Sequence, residues 1–149
     1  MSDLKTRLKE YEGTKAYQAK LKYYRNDKFY PYADSLGFQT IGYGHLITRG
    51  ESYPDGITEI QAEELLDYDI MIAQHNLDTL DIWLPNDWRD FMVIMIFQLG
   101  LSGVSKFKLM LKALEEKNYP EAIKQAKNSR WYQQTPNRVD QMIATLTNK

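Results

Sequence analysis

Apolar positions near the start of the chain recur at intervals of four and three: Leu4, Leu8 and Tyr11. That spacing predicts a short amphipathic helix over 3–12. From 14 to 30 the chain is rich in Lys and Tyr and shows no clean period, so no regular element is predicted there. Between Tyr30 and Thr48 alternating and aromatic residues are broken by Gly37, Gly42 and Gly44, which predicts a small antiparallel sheet with a turn at Asp34-Ser35-Leu36-Gly37. Thr58 followed by Gln61 has the form of a capping box, so a long helix is expected to begin there, with Leu65, Leu66, Asp69, Ile72, Ala73 and Leu77 on one face. Pro85 and Asn86 open another helix, whose centre from Phe91 to Phe97 is apolar on every side and therefore belongs inside a core. Gly100 stands where a C-terminal cap would end it. Three shorter helices follow near 104–117, 120–128 and 137–147.

These elements describe an α+β fold that is mostly α. A sheet lobe at about 13–57 and a connecting helix at about 58–80 lead to a helical lobe at about 81–149, which also takes in the helix 3–12. At 149 residues this is the size of one domain. A hydrophobic content of 43% with 26% charged residues excludes a disordered chain. The most apolar run, Phe91–Phe97, is far shorter than the roughly twenty residues a membrane helix needs, so no membrane insertion is expected. The N-terminus has no apolar stretch of the signal-peptide kind, so synthesis in a cytoplasm is expected. With no cysteine, disulfides, thiolate metal sites and a cysteine nucleophile are all excluded.

Charge is segregated although the net value is only −1. Thr14–Tyr30 holds five bases against Asp27; Glu51–Asp90 holds eleven acids against Arg89; Val104–Lys149 holds nine bases against four acids. Such blocks steer charged ligands, although the acidic run also suits the solvated face of a long helix. The basic stretch at 14–30 lacks any recognised nucleic-acid module, so no nucleic-acid partner is expected.

Two carboxylates fall at places where structure alone accounts for them. Glu12 ends a helix before Gly13, and Asp34 lies in a turn. The neighbouring Gly-Tyr-Gly run at 42–44 lacks the following helix that a phosphate loop requires. Three segments together carry more information. Glu12-Gly13, Tyr32-Ala33-Asp34 and Thr40-Ile41-Gly42-Tyr43-Gly44-His45-Leu46 form one; Phe97-Gln98-Leu99-Gly100 with Gly103-Val104 and Phe107 a second; Ser129-Arg130-Trp131-Tyr132-Gln133-Gln134-Thr135-Pro136-Asn137-Arg138 a third. In this order they resemble the T-even phage lysozyme family of glycoside hydrolases.

The resemblance implies a two-lobed lysozyme-like fold and a muramidase that cuts bacterial peptidoglycan between N-acetylmuramic acid and N-acetylglucosamine. It implies Glu12 as general acid, with Asp34 and Thr40 holding the attacking water on the opposite face of the sugar. One carboxyl must be protonated to donate while the other is ionised to accept, and carboxyls roughly 6.5–9.5 Å apart leave room for that water and invert the anomer. By the same resemblance Gln98, Arg138, Leu46 and Phe97 belong to substrate binding, and His45 with Asp69 to a structural ion pair. Arg138 would lie near Glu12, either meeting the substrate or orienting Glu12 and tying the lobes together; a guanidinium there lowers the acid's pKa, and substrate binding must raise it again. No cofactor and no metal are implied. A monomer is expected, acting on periplasmic peptidoglycan either as a lytic enzyme released after membrane permeabilisation or from a phage tail.

Glu12 and Asp34 stand 22 positions apart, further than in the phage lysozymes, with the extra material at about Lys15–Asp27. Its bases suit anionic wall groups and its tyrosines suit sugar faces; a surface elaboration with its own small apolar contacts accounts for it equally well. Two competing functions share parts of the pattern. A non-hydrolytic wall-binding module has no need of Glu12, Asp34 and Thr40 together, and a lytic transglycosylase uses a glutamate acid without a water-holding Asp and Thr.

Overall fold

The computed structural model describes residues 2–34 and 36–149, and its contacts divide the chain into two compact units, Met1–Ile70 and Met71–Lys149. The first unit opens with α1 (Ser2–Glu12), followed by α2 (Lys15–Lys20). Five short strands follow: β1 (Tyr24–Arg25), β2 (Lys28–Phe29), β3 (Tyr32–Ala33), β4 (Gln39–Ile41) and β5 (His45–Leu46). β1 and β2 form an antiparallel hairpin, and β3-β4-β5 a separate antiparallel sheet in which Thr40 faces both Tyr32 and Leu46.

The stretch with no sequence period therefore contains both a helix and a hairpin. Thr14 caps α2 by accepting the Tyr17 N–H at 3.1 Å. The hairpin turns at Asn26 and Asp27, whose φ values of 52° and 60° suit the primed two-residue turn that matches strand twist. Phe29 then enters the core fully buried, exchanges backbone hydrogen bonds with Ile57 at 2.8 and 2.9 Å, and meets the Tyr43 ring edge-on at 5.1 Å. The stretch without a sequence period thus supplies part of the core of this unit, through a residue just beyond the Lys15–Asp27 insert.

The long helix α3 (Glu59–Asp78) begins at the capping box: the Thr58 N–H donates to Gln61 Oε1 at 2.8 Å, and the Gln61 N–H to Thr58 Oγ1 at 3.2 Å. Its buried stripe is Ala62, Leu66, Ala73 and Leu77. Ile72, expected on that face, is instead 38% exposed. The stripe drifts along the helix with the 3.6-residue turn, and Ala62, too small to mark a face in sequence, takes part in it.

In the second unit α4 (Asn86–Ser105) carries the continuous apolar run, and Phe91 to Ile96 are buried all round. Gly100, at φ 76° and ψ 163°, breaks the helical path where the cap was expected. Residues after this break complete a further helical turn, so α5 starts at Lys108 rather than 104 (Lys108–Glu115). α6 (Tyr119–Lys127) and α8 (Pro136–Ala144) follow, separated by α7 (Arg130–Gln134), which the sequence pattern did not predict and which Ser129 caps through the Tyr132 N–H. No single described helix is long and apolar enough to cross a membrane.

Candidate active site

Glu12 is the last residue of α1, and its position is fixed by what holds that helix. Leu4 and Leu8 are buried on one side. Beside them on the helix, Lys5 reaches Glu63 and Asp67 of α3, both at 2.7 Å, and Lys9 also pairs with Glu63. Burial raises the Glu63 pKa, but the two lysines outweigh it and hold the carboxyl below its ordinary value. Gly13 ends the helix at φ 120°, a conformation L side chains rarely adopt. The Glu12 carbonyl accepts the Tyr32 phenol at 3.2 Å, and Tyr32 stacks flat on Tyr23 with centroids 4.8 Å apart. Tyr32 stands two residues before Asp34, so one phenol ties the two carboxylate segments together.

Asp34 leaves the end of β3 into the turn that contains Ser35, a residue outside those described. Its Oδ1 accepts two backbone N–H groups, from Leu36 at 2.9 Å and Phe38 at 2.8 Å. The Asp34 N–H donates in turn to the Phe38 carbonyl at 2.9 Å. That carbonyl also receives the hydroxyl of buried Thr40 at 2.9 Å. Phe38 therefore couples Asp34 and Thr40 through its backbone. With its proton committed, the Thr40 hydroxyl faces any further partner as an acceptor, as does an ionised Asp34.

Between these carboxylates α2 supplies a residue that sequence reasoning missed. Gln18 is 1% exposed, and its Nε2 donates to the carbonyls of Gly13 and Gly42, each at 2.8 Å. Gly13 adjoins Glu12, and Gly42 lies two residues beyond Thr40. Gln18 thus links the end of α1 to the segment that carries Thr40, and its Oε1 is buried without a hydrogen-bond partner among the described residues. No local pattern marks a glutamine for such a role. Beside it, a hollow of about 460 Å³ is lined by Glu10, Tyr11, Glu12, Gly13, Thr14 and Tyr17.

His45 on β5 places Nδ1 2.8 Å from Asp69 Oδ2, and its Nε2 lies 3.0 Å from Glu51 Oε2. Glu51 was not foreseen. It accepts from the Thr48 N–H and hydroxyl, both at 2.8 Å, and from the Tyr53 phenol at 2.8 Å. The Asp69 hydrogen bond leads the causes that push the His45 pKa up to about 9, with Glu51 adding to it against burial. The Thr48 backbone bond leads those that bring Glu51 down to about 2. The imidazole is accordingly a cation between two carboxylates at neutral pH. Leu46, next along β5, is half exposed.

The remaining expected residues lie in the second unit. Phe97 and Gln98 are partly buried on α4, and Gln98 Oε1 accepts the Trp131 indole N–H at 2.9 Å. Gln98 Nε2 has no hydrogen-bond partner among the described residues. Trp131 is buried, with Phe91 and Phe107 meeting its ring edge-on. Arg138 lies near the start of α8 and is partly buried.

The phage lysozyme family model matches residues 9–149. A probable T4-type lysozyme of Dictyostelium discoideum is 33% identical over 85% of this chain and 90% of its own length. A second from the same organism is 32% identical over the same shares. The pre-baseplate central spike protein of Enterobacteria phage T4 is 28% identical over 77% of this chain but 24% of its own length. The chain belongs to the phage lysozyme family and is a hydrolase of the lysozyme class, with peptidoglycan as the substrate that family implies.

Proposed function

We propose that the protein is an endo-acting muramidase that cleaves peptidoglycan between N-acetylmuramic acid and N-acetylglucosamine with inversion at the anomeric carbon. Glu12 gives its proton to the departing glycosidic oxygen as the bond from that oxygen to the anomeric carbon breaks. Water attacks the same carbon from the opposite face, and its proton passes to Asp34. The observation that carries this reading is the Asp34–Phe38–Thr40 arrangement. A water donating one hydrogen to Asp34 and the other to Thr40 keeps its oxygen lone pair free for attack. Gln98, Arg138, Leu46 and Phe97 bind substrate in this reading. His45 and Asp69, with Glu51, are structural.

Digestion of purified peptidoglycan by wild type, Glu12→Gln and Asp34→Asn tests the assignment. Glu12→Gln is expected to abolish turnover while remaining folded; full activity in that variant overturns the role of Glu12. Proton NMR of the first product reports the anomer, and a retained configuration overturns inversion. An anhydro-sugar by mass spectrometry identifies a transglycosylase instead. The reading extends to bacteriolysis by a phage-borne enzyme, and mass spectrometry of purified virions separates a tail-carried protein from a released one.

A further inference from the structure

α2 presents two adjacent residues in different directions, because consecutive helical positions lie about 100° apart. Gln18 points inward and anchors the helix to Gly13 and Gly42. Lys15 adds a 3.1 Å bond to Glu59 of α3. Tyr17, the residue before Gln18, is 56% exposed and forms one wall of the hollow that Glu12 also lines. An isolated exposed aromatic needs no explanation. One held on an anchored helix beside a proton-donating carboxyl is placed to touch whatever that carboxyl acts on.

We propose that Tyr17 is a sugar-binding platform, its ring taking the apolar face of an N-acetylglucosamine unit of the glycan strand bound beside Glu12. The inference rests on the reading of Glu12 as the general acid. Three features favour this ligand. The hollow, at about 460 Å³, falls in the range of about 300–1,000 Å³ usual for small-ligand clefts. An aromatic ring flanked by Thr14 and Glu10 offers a flat apolar surface with polar groups at its edge, matching a pyranose whose C–H face is ringed by hydroxyls. Its described lining holds Glu10 and Glu12 and no basic side chain, so it favours the uncharged glucosamine unit over the carboxylate-bearing muramic one. Among the segment's bases, Lys15 is taken up by Glu59 and the Tyr24 ring, and Arg25 by the Tyr30 ring and the Lys22 carbonyl. None of the segment's five bases is among the residues that line the hollow, so the tyrosine is the better-placed contact.

The test measures binding in the Glu12→Gln background, where substrate is not consumed. Sedimentation with insoluble peptidoglycan and calorimetry with N-acetylglucosamine tetramer are run for Glu12→Gln alone and with Tyr17→Ala or Tyr17→Phe. Tyr17→Ala is expected to raise the dissociation constant for both ligands about three- to tenfold, the loss of one aromatic face. Tyr17→Phe, which keeps the ring, is expected to restore binding. Unchanged affinity in Tyr17→Ala overturns the platform, as does an equal loss in Tyr17→Phe. A loss confined to peptidoglycan overturns the glucosamine assignment. Wild-type turnover by Glu12→Gln would instead defeat the reading of the acid, so the two failures are distinguishable.

Discussion

Replacing Gln18 by Leu isolates the contribution of the segment between the carboxylates. The substitution removes two 2.8 Å hydrogen bonds and leaves the Gly13 and Gly42 carbonyls without that donor. Each loss costs about 1–2 kcal/mol where the acceptor stays dry, while removing the unpartnered Oε1 returns up to about 1 kcal/mol. The net destabilisation is about 1–4 kcal/mol, or a fall in Tm of roughly 3–13 °C for a protein of this size. Catalysis should suffer too, because both lost bonds end beside proposed catalytic residues. Displacement of a reacting group by an ångström costs about a hundredfold, so a partial shift is expected to lower kcat about tenfold or more. Thermal unfolding and peptidoglycan turnover of purified Gln18→Leu read both effects. Gln18→Glu sharpens the test: it keeps the size but sets a carboxyl against two carbonyl oxygens, which raises its pKa. Its added destabilisation is therefore small at acidic pH and grows as pH rises through that value. A loss below about 0.5 kcal/mol with unchanged kcat in Gln18→Leu would refute a positioning role.

Two further outcomes follow from the charge geometry. His45 has a folded pKa raised from 6.5 to about 9, so its contribution is fully present below pH 6.5 and is lost as pH rises through 9. Glu51 has one lowered from 4.5 to about 2, so its contribution is present above pH 4.5 and lost as pH falls through 2. At about 1.4 kcal/mol per pKa unit the histidine rise corresponds to about 3 kcal/mol, which solvent access to the carboxylates reduces to about 1–2 kcal/mol. Urea unfolding of wild type should weaken by that amount from pH 6.5 to 9, whereas His45→Asn should be nearly flat there; parallel curves would exclude the ion triad as the cause. In the second unit, Asp87 accepts the N–H groups of Thr147 and Asn148 at 2.9 and 2.8 Å. Asp87→Ala is expected to cost about 1 kcal/mol and to speed amide exchange at those two positions; unchanged exchange would show that the terminus is held by other contacts.

Legibility in the sequence followed the range of the interaction concerned. The end of α1 at Gly13, the capping box at Thr58–Gln61, the break at Gly100 and the all-round apolar centre of α4 involve residues within a few positions of one another. Backbone sterics and local hydrogen bonding decide them, and the chain alone fixed where those elements start, stop and bury themselves. Glu12, Asp34 and Thr40 are individually unremarkable, and were marked out only by the order of the motifs around them. Gln18, Phe29 and Glu51 have no such local signature. Gln18 matters because its amide meets a carbonyl 24 positions away, Phe29 because Ile57 and Tyr43 close over it, and Glu51 because β5 brings His45 against it. Partners of that kind exist only once the chain has folded back on itself, so tertiary structure decided that the tyrosine-rich segment between the carboxylates contributes to the core and braces the proposed site.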